Sequence, residues 1–277
     1  LCNEVPTNPR HLILNLLLGA DGGTMSAREA VSSCALFGIR ENSVRVALVR
    51  LAAAGMIEAE GRGAYRMGPN AAGLADDVST WRSAETRVCE WGGAWIAVHY
   101  GSLGRSDRVV LRQRDRALQL LGFRELERGL SVRPDNLVGG VSAVRERLYK
   151  LGLDSTAAVF QLTDFDAERD AHARALWDGD ALTKSYRKTR QQLEKWLAKA
   201  DDLERETAAR ESFLMGNSAI RQLVFDPLLP DPLVEVAERR AFVETVLRYD
   251  RAGHAIWRAL QFFPDTYLAV DGVSPTH

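Results

Sequence analysis

The stretch FGIRENSVRVALVRLAAAGMIEAEGRGAYRMG, residues 37–68, constrains the fold more than any other part of the chain. Val44, Ala47, Leu48 and Leu51 recur at i, i+3, i+4 and i+7. That is the spacing of one helical face, so the helix must bury this stripe against a scaffold. Its other side carries Asn42, Ser43, Arg45 and Arg50. Gly55 can close the helix, because glycine accepts the left-handed backbone of a helix C-terminus. MIEAEGRGAYRMG then alternates, with Ile57 and Ala59 expected inward and Glu58 and Glu60 outward. It turns at Gly61-Arg62-Gly63 and returns through Tyr65 and Met67, which predicts a short hairpin.

Two helices are expected before this stretch. NPRHLILNLLLG forms the first and stops at Gly19. SAREAVSSCALFG forms the second, with Ser26 as cap, Glu29 completing a capping box, and Gly38 at its end. Three helices followed by a hairpin is the order of a winged helix-turn-helix domain, placed here over residues 1–69. A helix that enters the major groove needs short polar or cationic side chains in its first turns. Arg40, Asn42, Ser43 and Arg45 meet that need and are the candidates to read or approach bases. Arg50, Arg62, Tyr65 and Arg66 are the candidates to hold the DNA backbone. The plainer reading is the solvated outer face that any amphipathic helix has. Local charge does not decide between them, because residues 1–68 hold seven arginines against six acidic residues. The order of elements does, and it favours the groove.

The remaining chain divides by periodicity. Residues 70–89 read as a partly helical connector. From 90 to 165 the order is strand (Trp95–Val98), helix (Val110, Ala117, Leu118 and Leu121 on one face), hairpin around Arg128-Gly129, helix, and strand (AAVFQLTDF). That β-α-β-β-α-β order predicts a ferredoxin-like middle domain. Residues 166–277 read as a helical domain, interrupted by DPLLPDPL because proline cannot continue a helix interior. Two separate helices are expected after that break, EVAERRAFVETVLRYD and AGHAIWRALQFF. The fold class is therefore α+β and multidomain.

Several functions are disfavoured. A net charge of −1 excludes a globally basic nucleic-acid coat, though not a local contact surface. No apolar run approaches the roughly 20 residues of a membrane span, and HLILNLLLGA lacks a cleavage pattern, so a cytoplasmic protein without membrane contact is expected. Cys2, Cys34 and Cys89 form no CxxC pair, which argues against a disulfide framework or structural zinc; Cys34 reads as a buried thiol. His11, His99, His172, His254 and His277 have no ligand spacing, and no metal or cofactor is expected. The chain has no HExxH, Walker loop or GxSxG, so no catalytic residue is assigned and no enzyme is expected. The acidic pairs Asp76-Asp77 and Asp201-Asp202 read as solvated surface. Trp177, Tyr186, Trp196, Phe213 and Trp257 could line an effector pocket, but at helical spacing core packing is the commoner role.

Four strings, LFGIRENSVRVALVRLAAAGMIE with its hairpin, WGGAWIAV, LGFRELERGLSVRPDNL and LVFDPLLPDPL, occur in that order. Together they resemble the PaaX-like repressors of phenylacetate catabolism. The resemblance implies a homodimeric repressor that binds a double-stranded DNA operator through an N-terminal winged helix. It also implies a middle domain similar to a small CRISPR-adaptation nuclease, and release from DNA by an aryl- or acyl-CoA effector. The nuclease relative has a metal-binding Asp where this strand ends VHYG, so that activity is not carried over. Two positions depart from the family pattern: Arg40 stands where a small polar cap is usual, and VEVAERRAFVE follows DPLLP in place of a Trp-Pro-Gly segment. The effector-binding residues stay unassigned. The alternative function is a small-molecule-binding or protein-interaction module whose winged helix contacts a protein partner.

Overall fold

The structure is a computed structural model that describes residues 8–20, 23–61, 63–71, 80–101 and 107–261. Helix and antiparallel sheet are mixed, an α+β chain. It divides into two compact units, one of residues 1–75, 193–218 and 247–277, the other of 76–192 and 219–246.

The first unit opens with α1 (Pro9–Gly19), capped by Asn8, whose side chain accepts from the Arg10 amide at 3.0 Å. Strand β1 (Thr24–Ser26) leads into α2 (Ala27–Ala35) through the expected capping box. The Glu29 amide donates to Ser26 Oγ at 3.1 Å, and the Ser26 amide donates to Glu29 Oε2 at 2.6 Å. Helix α3 spans Glu41–Ala53, and β2 (Ile57–Glu60) and β3 (Ala64–Met67) form the hairpin. The sheet order is β1-β3-β2, with Met25 opposite Tyr65 and Tyr65 opposite Ala59. Strand β1 has no sequence signal: three residues are too few to alternate, and pairing with β3 defines it. Ala59, expected inward, is exposed, because the hairpin outruns the core after Ile57.

The core of this unit joins Leu12, Ile13 and Leu17 of α1, Ala30 and Cys34 of α2, and all four stripe residues of α3. Burial pushes the Cys34 thiol up to about 12. Phe213, Leu214 and Trp257 pack against the same core.

A tight backbone crossing sets the hairpin on the end of α3. Gly55 takes φ +64°, the Gly68 amide donates to Met56 O at 2.9 Å, and the Asn70 amide donates to Gly55 O at 3.0 Å. A Cβ on residue 68 would lie 2.3 Å from the Gly55 carbonyl oxygen, so only glycine fits there.

In the second unit β4 (Trp95–His99), α4 (Arg108–Leu120), β5 (Arg124–Glu127), β6 (Leu130–Pro134), α5 (Gly140–Lys150) and β7 (Ala158–Leu162) form an antiparallel sheet of order β5-β6-β4-β7. One face buries Ile96, Val98 and Val159 against Ala117, Leu118, Val144 and Leu148. On the other face Trp95 stacks on Trp177 with centroids 6.0 Å apart. Burial on both faces explains why β4 reads as an unbroken apolar run. Val110, expected on the apolar face of α4, is exposed; burial of that helix begins after its first turn.

The rest is helical: α6 (Ala167–Arg174), α7 (Gly179–Leu197), α8 (Arg205–Val224) and α9 (Val236–Gln261). The two helices expected after the proline break are one. Gly253 does not interrupt α9, because a mid-helix glycine costs only about 1 kcal/mol. Apolar positions Val246, Tyr249, Ile256 and Trp257 keep helical spacing across it. None of the described helices is long and apolar enough to cross a membrane.

Two outcomes are expected. Gly68→Ala should lower stability by about 2 kcal/mol or more, while Gly61→Ala, strained but unobstructed, should cost about 1 kcal/mol, both read by thermal unfolding. At pH 8 iodoacetamide should alkylate exposed Cys89 and spare Cys34 until unfolding, followed by peptide mass spectrometry. The raised Cys34 value makes its burial stabilising below the ordinary thiol range, an advantage lost as pH climbs toward 12.

Candidate nucleic-acid interface

Helix α3 is held by Val44, Ala47, Leu48 and Leu51, each no more than 4% exposed. At about 100° per residue these four centre on one side of the helix, and the opposite crest falls on Asn42, Val46, Val49 and Ala53. All four crest residues are exposed. Arg45 flanks the crest on one side, and Arg50 and Ser43 flank it on the other; all are exposed. Arg40 sits at the helix N-cap with extended backbone and makes no side-chain capping bond, in keeping with its poor capping chemistry.

Two of the expected cations are paired. Arg45 meets Glu41 one turn back at 2.7 Å, with the side chains 62% and 55% exposed. Arg66 meets Glu58, its cross-strand partner, at 2.7 Å. Exposed pairs of this kind contribute little, so a phosphate or base edge can displace the carboxylate at small cost. Arg40 and Arg50 have no ion pair among the described residues. Tyr65 is half-buried and packs on the core of the first unit. Arg62, at the hairpin turn, lies outside the described residues, as do Cys2, His277 and the Asp76-Asp77 pair.

The residues expected at the interface are the polar ones of α3, yet Val46 and Val49 share its outer face and are 50% and 68% exposed. The signal was present: positions 42, 46, 49 and 53 repeat at the helical spacing used to find the buried stripe.

The five aromatic residues considered for an effector pocket fall into separate packing groups. Trp177 stacks on Trp95, Tyr186 on Phe242 at 5.8 Å, and Trp196 packs on Tyr249 at 4.8 Å. Phe213 lies between Phe37 and Trp257, at 5.2 and 6.1 Å. These are core contacts. His11, His99 and His172 are exposed, and His254 lies 3.5 Å from Asp250.

Residues 8–69 match the family described as PaaX-like protein, and residues 177–259 match the PaaX-like protein C-terminal domain. The chain belongs to the PaaX-like family. PaaX-like proteins are generally transcriptional repressors of phenylacetate catabolism, regulators rather than enzymes. No curated protein matches the chain. Among solved structures, the uncharacterized protein Rv0674 from Mycobacterium tuberculosis is similar, with a TM-score of 0.61 and 23% identity over 92% of this chain and 99% of that one. That likeness is one of fold.

Within the matched C-terminal segment of this PaaX-like chain, DPLLP is held by its backbone. Asn136 Nδ2 donates to Leu228 O at 2.7 Å, Arg133 Nη2 reaches Pro227 O at 3.5 Å, and Arg239 donates to Leu229 O. The Asp226 carboxylate accepts the Leu228 amide at 2.8 Å. These bonds hold Leu228 in a left-handed conformation, φ +51°, which is costly for a branched side chain. Arg133 is 1% exposed and also donates to Pro134 O at 3.1 Å, to Asn136 Oδ1 at 3.0 Å and to Leu121 O. Burial pulls its guanidinium down to about 10. Arg239 is anchored by Glu85 at 2.7 Å, and burial raises the carboxyl of nearby Asp226.

Arg133→Met should therefore strand four acceptors and lower stability by about 3 kcal/mol or more in urea unfolding. Arg133→Lys should recover only part of the loss, because an ammonium cannot span the same fork.

Proposed function

We propose that this PaaX-like chain is a sequence-specific DNA-binding repressor of a catabolic operon, released by a small-molecule effector of the aryl- or acyl-CoA class. The observation that carries the reading is the orientation of α3: its apolar stripe is fully buried and its Asn, Ser and Arg residues stand in solvent. Three helices with a β1-β3-β2 sheet support the winged helix-turn-helix assignment over 1–69. The all-antiparallel β5-β6-β4-β7 order supports the ferredoxin-like assignment over 90–165, between a connector (70–89) and a helical domain (166–277).

On this reading Arg45 takes guanine O6 and N7, Asn42 takes adenine N6 and N7, and Arg40 and Ser43 approach the base edges or the phosphates beside them. Arg50, Arg62, Tyr65 and Arg66 hold the backbone and set the register. The protein acts in the cytoplasm as a homodimer, because two half-sites about one helical turn apart require two recognition helices related by a two-fold axis. Effector release is then a shift between dimer states of unequal operator affinity.

The test is binding to the region upstream of the chain's own gene, measured with excess nonspecific competitor. Arg45→Ala should cost about 1–3 kcal/mol on the cognate site and relax specificity at one base pair. Arg62→Ala should weaken all sequences alike and reduce the slope of log affinity against log salt by roughly one. If wild type and both variants bind this region indistinguishably, the site assignment is wrong.

A further inference from the structure

On the reading of α3 as a major-groove helix, one feature of its solvent face has no polar explanation. The crest opposite the buried stripe is led by Asn42 and then occupied by two valines, Val46 and Val49, 50% and 68% exposed. A branched apolar side chain at the centre of a solvated face gives up favourable burial. It also lowers helix propensity relative to alanine, so local helix stability does not select it. Single exposed apolar residues are ordinary, but these two share one face and are flanked by Arg45 and Arg50. A duplex is the partner that this charge arrangement fits: cations at the margins for phosphate and base edges, and an apolar centre for the groove floor. The apolar group displayed on that floor is the C5-methyl of thymine.

We propose that Val46 and Val49 are specificity-determining residues that read thymine methyl groups in the major groove. Three residues of helix rise separate them, about 4.5 Å, close to the spacing of about 3.4 Å between successive base pairs. The methyls they meet therefore belong to neighbouring base pairs. Asn42 lies one turn, about 6 Å, before Val46 on the same crest, so a half-site should place an A·T pair for Asn42 one or two base pairs from the thymines for the valines. Glu41, which holds Arg45 at 2.7 Å, stands off the crest and leaves the valines unobstructed.

Random-sequence duplexes are selected with the full chain, and the enriched sequence is then resynthesised with deoxyuridine in place of thymidine. Uracil keeps every hydrogen-bonding group of thymine and lacks only the methyl. Wild type should lose about fourfold in affinity for each read methyl removed, from the transfer value of one buried carbon. The double variant Val46→Ala, Val49→Ala should bind the thymidine duplex more weakly and no longer distinguish it from the deoxyuridine duplex. Val49→Thr, which retains a methyl, should keep most of the discrimination. Both positions are exposed and alanine favours helix, so the variants should keep wild-type thermal stability.

Sequence-specific binding that is equal on the two duplexes, or an enriched site without adjacent thymines, overturns this assignment and leaves the DNA-binding reading standing. Absence of any enriched sequence overturns both. A double variant that changes sedimentation while still discriminating thymidine from deoxyuridine identifies the valines as a protein contact and also overturns the proposal.

Discussion

The rotation of α3 about its own axis is the constraint on which the candidate interface depends. Four side chains fix it: Val44, Ala47, Leu48 and Leu51 are buried against α1 and α2, and interiors are packed tightly enough that the helix cannot roll without opening cavities. Because those four are locked, the outward directions of Asn42, Arg45, Val46, Val49 and Arg50 follow without any further contact. A surface that must present atoms to about half an ångström is better carried on such an element than on a loop. The crossing of Gly55 and Gly68 extends the same constraint to the hairpin, since the strand exit is hydrogen-bonded to the end of the helix it follows.

The core beneath α3 is not closed by the N-terminal helices alone. Phe37, in the turn between α2 and α3, meets Phe213 edge-on at 5.2 Å, and Phe213 meets Trp257 in turn. Parts of α8 and α9 are thus in van der Waals contact with the segment that sets where α3 begins. A single apolar core shared between the N-terminal helices and the C-terminal helices means that repacking one is felt by the other. This gives a tail remote in sequence a physical hold on the position of α3.

A different device organises the second unit. Burying Arg133 and Arg239 carries a large desolvation penalty, offset only because nearly every donor finds a carbonyl or carboxylate. Arg133 reaches Pro227 O, Arg239 donates to Leu229 O and Asn136 donates to Leu228 O between them, all in a segment with little regular secondary structure of its own. Proline supplies no amide to such a segment, so outside groups must satisfy it. The DPLLP string is therefore explained from both sides. The prolines stop α8 and delay α9, while the buried arginines and Asn136 fix the path between them. Gly122 belongs to the same fit, since a Cβ there would lie 2.7 Å from Pro227.

How much of this was legible in the sequence follows from what periodicity encodes. It reports which side of an element is dry, so α1, α2, α3, the hairpin, the strand-helix order of residues 90–165 and the buried Cys34 could all be read. It fails where a partner distant in sequence decides. Strand β1 exists because β3 pairs with it, Val110 and Ala59 are exposed because the core ends before them, and Gly253 stays helical because its neighbours continue the apolar face. The clamp on DPLLP was invisible for the same reason: Arg133 and Pro227 are 94 residues apart. The site shows the same limit in another form. Polar residues on a wet face invite a functional reading and apolar ones do not, so the arginines and Asn42 were noticed while Val46 and Val49 were passed over. Yet a wet arginine needs no explanation, whereas a wet valine at the centre of an otherwise well-partitioned helix does. The residue that contradicts its environment carries more information about an absent partner than the residue that suits it.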